Sequence, residues 1–152
     1  MTSHDQTHRI ATASRDVQAR AAEIFELIAD PSRQPRWDGN DNLVEAAAGQ
    51  RVRAAGEVFT MLTTKGNVRE NHVAEFDEGR LIAWKPADVG REPFGHLWRW
   101  ELQPSGASST RVIHTYDWTG LTDETRFPRA RATTAEKLQA SLERLAALVE
   151  GS

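Results

Sequence analysis

Alternation of apolar and polar residues with a period of two fills the middle of the chain, and a helical period flanks it on both sides. HRIATASRDVQA (8–19), with Ile10, Thr12 and Val17 among small residues, reads as an opening strand. AAEIFELIAD (21–30) follows, with Ile24, Phe25, Leu27 and Ile28 at helical spacing. Asp30-Pro31 marks the end of that helix and the capped start of a short second one: an Asp carboxylate accepts from free amides, and proline suits the first helical position. Pro35 is expected to stop or bend this second helix, and 37–41 reads as loop. At the other end, TTAEKLQASLERLAALVE (133–150) places Leu138, Leu142, Leu145 and Val149 on one stripe of a helix of about five turns. Thr133 or Thr134 caps it, with Glu136 in the first turn where the helix dipole favours a negative charge; a start nearer Pro128 is the alternative.

Between these flanks, turn chemistry separates strand-like runs. NLVEAAA (42–48), EVFTMLTT (57–64), NVRENHVAEFD (67–77) and RLIAWKP (80–86) are divided by Gly49-Gln50, Lys65-Gly66-Asn67 and Glu78-Gly79. A loop with Gly90, Pro93 and Gly95 leads into HLWRWELQPSGASSTRVIHTYDW (96–118). One face of this hairpin carries His96, Trp98, Trp100, Leu102, Val112, His114, Tyr116 and Trp118. The other carries Arg99, Glu101, Gln103, Arg111, Thr115 and Asp117, with Ile113 against the pattern. Symmetric pairing about the loop 104–109 sets Trp98 opposite His114 and Trp100 opposite Val112. The order strand, two helices, about six strands and one long helix is α+β, an antiparallel sheet with one face left for the last helix.

Composition narrows the chemistry. A chain of 152 residues fits one domain, taken as 8–150 behind a flexible tail at 1–7. With no cysteine, disulfides, thiolate ligands and cysteine nucleophiles are excluded. The polar start MTSHDQTHR has no leader-like apolar stretch, and no apolar run approaches the ~20 residues of a membrane span, so a cytoplasmic location without membrane insertion is expected. A net charge of −3 argues against nucleic acid as a partner. The basic run RFPRARATTAEK (126–137) reads as the solvated start of a helix, or else as a docking patch. His4 and His8 fall in the tail, and His72, His96 and His114 lack metal-ligand spacing. No G-x-S-x-G and no Gly-rich phosphate loop is present, and no cofactor is implied.

This order of elements, with the stretches AAEIFELIADPSRQPRW (21–37), NHVAEFDEGRLIAWKP (71–86) and FPRARATTAEKLQASLERLAALVE (127–150), resembles the START/polyketide cyclase-like superfamily, SRPBCC, in its polyketide cyclase/dehydrase-like branch. The resemblance covers about residues 8 to 150 and concerns architecture more than activity. It implies the helix-grip fold: a curved antiparallel sheet of about seven strands around a long C-terminal helix, two short helices after the first strand, and a cavity between the sheet's concave face and the last helix.

On that expectation, Trp98, Trp100, Trp84 and Val112 line the cavity or fill a packed core on the same surface. Phe59 and Met61 extend the wall, or Val58, Thr60 and Leu62 do so in the other phase. Leu138, Ser141, Leu142 and Leu145 supply the lid. His114 is either a structural histidine bonded to Tyr116 or a backbone carbonyl, or a proton shuttle or ligand-orienting residue working with Tyr116. For 67–77 two registers are open. The expected one turns Val68, Glu70, His72, Ala74 and Phe76 inward and misplaces Val73, making Glu70 a third catalytic candidate and His72 a ligand contact; the other buries Val73 and exposes His72. Trp37 guards the entrance or staples the second helix. The function expected is binding of a small hydrophobic molecule, cyclic, aromatic or polyketide- and lipid-like, with cyclase or dehydratase chemistry as its enzymatic version. The alternative is an interaction module, co-chaperone-like or toxin-like, acting through its surface. A homodimer is compatible with either reading.

Overall fold

A computed structural model describes residues 9–150. The tail assigned to 1–7, with His4 and also His8, lies outside the described residues. Seven strands form one antiparallel sheet: β1 (Ile10–Val17), β2 (Leu43–Glu45), β3 (Val58–Thr63), β4 (Val68–Asp77), β5 (Leu81–Asp88), β6 (Leu97–Gly106) and β7 (Ser109–Asp117). Their order across the sheet is β1-β7-β6-β5-β4-β3-β2, so every neighbour after β1 is a sequential hairpin partner and β1 closes onto β7. The helices are α1 (Ala21–Ala29), α2 (Gln34–Trp37), α3 (Phe127–Ala132) and α4 (Ala135–Glu150), with single 3-10 turns at Pro31–Arg33 and Glu124–Arg126. This is the α+β helix-grip architecture expected from the sequence.

Local chemistry explains the helix boundaries. The Asp30 carboxylate accepts from the Ser32 amide at 3.1 Å and caps the 3-10 turn, with Pro31 in its first position. Pro35 does not stop the second helix. It sits in the first turn of α2, where its missing N–H has no intrahelical role, and the helix runs on to Trp37. The sequence offers two starts for the C-terminal helix and the chain uses both: α3 begins at Phe127, breaks at Thr133 (ψ 85°), and α4 resumes from Thr134, whose carbonyl accepts from the Lys137 and Leu138 amides. α4 packs along β1 and against β7. Arg15 of β1 holds it there by ion pairs to Glu143 (3.2 Å) and Glu150 (3.3 Å).

One face of the sheet is apolar. On β7 the inward residues are Thr110, Val112, His114 and Tyr116; on β6 they are Trp100 and Leu102, with Trp98 at the cavity edge. Trp98 pairs with Tyr116 and Trp100 with His114, two residues from the symmetric expectation, because the hairpin turns at Ala107-Ser108 and carries an irregularity between Pro104 and Gly106. A shift of two keeps every side chain on its expected face. On β3, Phe59 and Met61 are the buried phase.

Strand β4 corrects the sequence reading. Val73 pairs with Trp84 and Glu75 with Ala83, so Ala74 is an extra residue bulged out of the ladder. Arg69, Asn71 and Val73 face inward before the bulge and Phe76 after it, where it meets Phe25 edge-on at 5.7 Å. Val73 is thereby buried and Phe76 half-buried against the core on the same face, which no unbroken alternation allows. Glu70 and His72 fall on the outer face, contrary to the expected register.

Candidate functional site

A cavity of about 250 Å³ opens between the β3–β7 part of the apolar face, α2, α3 and the start of α4. Its inner wall is aromatic: Trp37, Trp84, Trp98, Trp100, His114 and Tyr116. Met61, Leu121, Ala130 and Leu138 add apolar lining, with the hydroxyl-bearing Ser141 beside them.

Several short contacts hold the wall in place. The indole N–H of Trp37 donates to the Leu27 carbonyl at 2.7 Å, and its ring meets Trp100 edge-on at 5.0 Å. Trp37 therefore both staples α2 and lines the cavity. His114 lies flat on Trp100 (centroids 3.7 Å, 15°) with Trp98 stacked beyond it at 5.8 Å. Its Nδ1 is 3.1 Å from the Arg99 carbonyl, which can only accept, so Nδ1 carries the proton and Nε2 is left as an acceptor. Burial pushes the imidazole pKa down to about 4, opposed by that backbone hydrogen bond, and His114 is neutral at physiological pH. Burial pushes the Tyr116 phenol up to about 12, with Arg129 and the Thr133 hydroxyl partly offsetting it.

The loop after α2 shapes the near side. Asp38 accepts from the amides of Asn40 (3.2 Å), Asn42 (2.6 Å) and Leu43 (2.9 Å). Gly39 lies so close to α4 that a Cβ there would stand 2.5 Å from the Ala140 carbonyl carbon. Ser141 returns the contact, its hydroxyl accepting from the Gly39 amide at 3.2 Å. On the far side Gly95, at φ 119°, touches the Gly120 carbonyl and brings the 89–96 loop with Phe94 and His96 over the mouth.

The residues singled out in the sequence divide into three groups. Met61, Trp84, Trp98, Trp100, His114, Tyr116, Leu138 and Ser141 line the cavity. Phe59, Val112, Leu142 and Leu145 are buried in packed core beside it. Glu70 is outside, its carboxylate accepting from the Gly90 amide at 2.7 Å across the outer rim, and His72 is on the same outer face. Reasoning from the sequence missed Arg69, Asn71 and Phe94, and it named His96 on the aromatic face and Arg126, Arg129 and Lys137 in the basic run without placing them at the cavity, which all seven line. A signal for the first two was present: Val73 and Phe76, three apart and both too apolar to expose, require a bulge, and a bulge turns Arg69 and Asn71 inward. Among the described residues, no three His, Asp or Glu side chains come together as a metal site would need, and no helix is long and apolar enough to cross a membrane.

Comparisons with known proteins place this architecture. The chain is 30% identical over 111 residues to the uncharacterized protein Rv0088 of Mycobacterium tuberculosis (strain ATCC 25618 / H37Rv), a match covering 69% of this chain and 46% of that protein. It thus spans about half the length of the curated relatives it matches. In fold it is similar to the protein NE0264 from Nitrosomonas europaea (TM-score 0.71, 14% identity, 95% of this chain and 96% of that one). It is also similar to a norcoclaurine synthase point mutant from Thalictrum flavum, solved in complex with a transition-state analogue (TM-score 0.63, 13% identity, 93% and 94% covered). Residues 8–150 match the family described as polyketide cyclase / dehydrase and lipid transport, and the chain belongs to that family, within the SRPBCC superfamily.

Proposed function

We propose that this protein binds a small hydrophobic molecule with an aromatic or cyclic body in the cavity beneath β3–β7. The observation that carries the reading is the open chamber itself, of about 250 Å³ and walled by Trp84, Trp98 and Trp100, close to the ~300–1,000 Å³ of ligand sites. An interaction module acting through its surface would have its own side chains filling that space, so the chamber favours a ligand.

The polar groups in the wall suit holding a ligand more than exchanging protons with it. At neutral pH His114 offers an acceptor at Nε2 and Tyr116 a phenolic donor, one group of each kind. Glu70, outside the chamber, contributes no acid or base to it. Cyclase or dehydratase chemistry on this scaffold would rest on the aromatic wall folding the substrate, with His114 and Tyr116 orienting a carbonyl or hydroxyl.

The test is a fluorescence titration with N-phenyl-1-naphthylamine, a neutral aromatic dye that brightens in apolar surroundings. The protein binds it, and Trp98→Ala weakens binding by about tenfold, the loss expected for an aromatic anchor. Unaltered affinity in Trp98→Ala removes this residue from the site, and absence of binding contradicts the reading.

A further inference from the structure

The cavity has a second character at its mouth. Arg69 from β4, Arg126 from the 3-10 turn before α3, Arg129 from α3 and Lys137 from α4 all line it, against a single carboxylate, Asp38. Asp38 already receives three backbone amides and answers none of the four cations. The chain as a whole carries a net charge of −3, so this concentration of cations runs against its average.

The cations converge instead of spreading over the surface. The Arg126 guanidinium lies 3.4 Å from the Phe94 ring centroid and that of Arg69 lies 5.3 Å from the same ring. Phe94 in turn stacks parallel on His96 at 5.9 Å. Burial and the charges of Arg126, Arg69 and Arg129 together push the His96 pKa down to about 4, and Arg126 and Arg129 also help burial lower that of Arg69. Like charges held this close repel one another, and the structure does not neutralise them fully. Arg69 pairs with Asp88 and Arg126 reaches Asp123 only at 3.7 Å. Among the described residues Arg129 and Lys137 have no carboxylate within 4 Å.

Deeper in, between the cations and the tryptophans, lies Asn71. It is 6% exposed, lines the cavity, and its side-chain amide has no hydrogen-bond partner among the described residues. Its amide faces the cavity with its hydrogen-bonding capacity unused by the protein, and so is open to a ligand. Next to guanidinium groups, which only donate, the complementary ligand group is one that only accepts.

We propose that the ligand is an amphipathic oxyanion: an aromatic or alicyclic body against Trp84 and Trp98, with a carboxylate or phosphate seated at the mouth among Arg69, Arg126 and Arg129, in reach of the Asn71 amide. This rests on the reading that the cavity holds a hydrophobic molecule, and adds the charge and direction of that molecule. It also gives the basic run at 126–137 a role: the first turns of that run place two arginines over the mouth.

Two dyes with one ring system separate the two ideas. N-phenyl-1-naphthylamine is neutral, and 8-anilinonaphthalene-1-sulfonate is the same skeleton with one anionic group. The protein should bind the sulfonate about tenfold more tightly or better, as charge-assisted contacts require. Rising salt should narrow the difference. Arg129→Gln, at an exposed position that leaves thermal unfolding unchanged, and the double variant with Arg126→Gln should bring the sulfonate down to the affinity of the neutral dye without altering the latter. Displacement of the sulfonate by 1-naphthoate or by 1-naphthyl phosphate then assigns the head group by which competes more strongly. Equal affinity for the two dyes, or a preference that survives the double variant, overturns the anion proposal and leaves the hydrophobic cavity standing. If neither dye binds, the cavity reading fails and this inference with it.

Discussion

The two halves of the space beneath the sheet are built from the same strands and the same face, yet one is solid and the other hollow. Under α1, the side chains of Ile24, Phe25 and Ile28 interlock with Ile82, Leu102, Val112, Leu142 and Leu145, all at most 1–2% exposed. Beneath α2 and α3, Trp84, Trp98, His114 and Tyr116 look into the chamber. The strands do not make this difference. The cover makes it: α1 is a nine-residue amphipathic helix whose large side chains reach the sheet, whereas α2 and α3 are four and six residues long, and Ala130 of α3 and Ser141 of α4 are the small side chains that face the wall. An alternating strand specifies which residues leave water. What lies opposite decides whether they meet a partner or a void.

The largest effect should come from setting the halves against each other. Leu142→Ala removes a side chain from the solid half and should cost roughly 2–5 kcal/mol of stability by chemical denaturation, the range for buried leucines. Trp98→Ala removes a larger side chain from the hollow half, where the space is already open. It should cost less than Leu142→Ala while lowering ligand affinity. Equal costs would mean that the two halves are packed alike.

Acid sharpens the comparison further, because His114 and His96 both belong to the hollow half. His114 and His96 have folded pKa values of about 4 against 6.5 for the free side chain, each mainly through burial. The unfolded chain therefore binds more protons between these values. Stability is fully present above pH 6.5 and is lost as pH falls toward 4, by roughly 3 kcal/mol per histidine. His114→Gln, which cannot charge, should flatten that slope in pH-dependent denaturation; an unaltered slope would show that His114 is not neutral in the folded protein.

The smallest effects belong to the outer face. Glu70→Gln and His72→Gln should each change stability by about 1 kcal/mol or less and leave dye affinity unaltered in the same titration, because neither side chain reaches the chamber. A large loss of affinity in Glu70→Gln would restore the inward register for β4.

Much of the architecture was legible because it rests on local rules. The Asp30-Pro31 cap, the stripe Leu138-Leu142-Leu145 and the two faces of the β6–β7 hairpin follow from capping chemistry and from periods of 3.6 and 2. The site was legible only where periodicity is unbroken. Trp98, Trp100, His114 and Tyr116 fall on the expected face, and all four line the chamber. Glu70 and His72 do not, since one bulged residue at Ala74 inverts the phase of everything before it. Pro35 misled for a related reason: its effect depends on its position within the helix, and Gln34–Trp37 holds it in the first turn. The cationic mouth was visible only in part, as the basic run at 126–137. Arg69 lies far from Arg126 and Arg129 in sequence and is brought to them by the placement of α3 over the end of β4, which no local pattern encodes.

The five tryptophans provide the most direct test of the hollow half as the binding site, since Trp37, Trp84, Trp98 and Trp100 line the chamber and Trp118 does not. Trp118 packs instead against Phe127 at 5.4 Å, with Arg9 and Arg131 over its ring. A titration of the nitrogen-15-labelled protein with N-phenyl-1-naphthylamine, followed through the five indole N–H resonances, reads all of them at once. The chamber resonances should shift together with one dissociation constant while that of Trp118 stays in place. Movement of Trp118 alone, or of none of the five at dye concentrations that saturate fluorescence, would contradict the hollow half as the binding site.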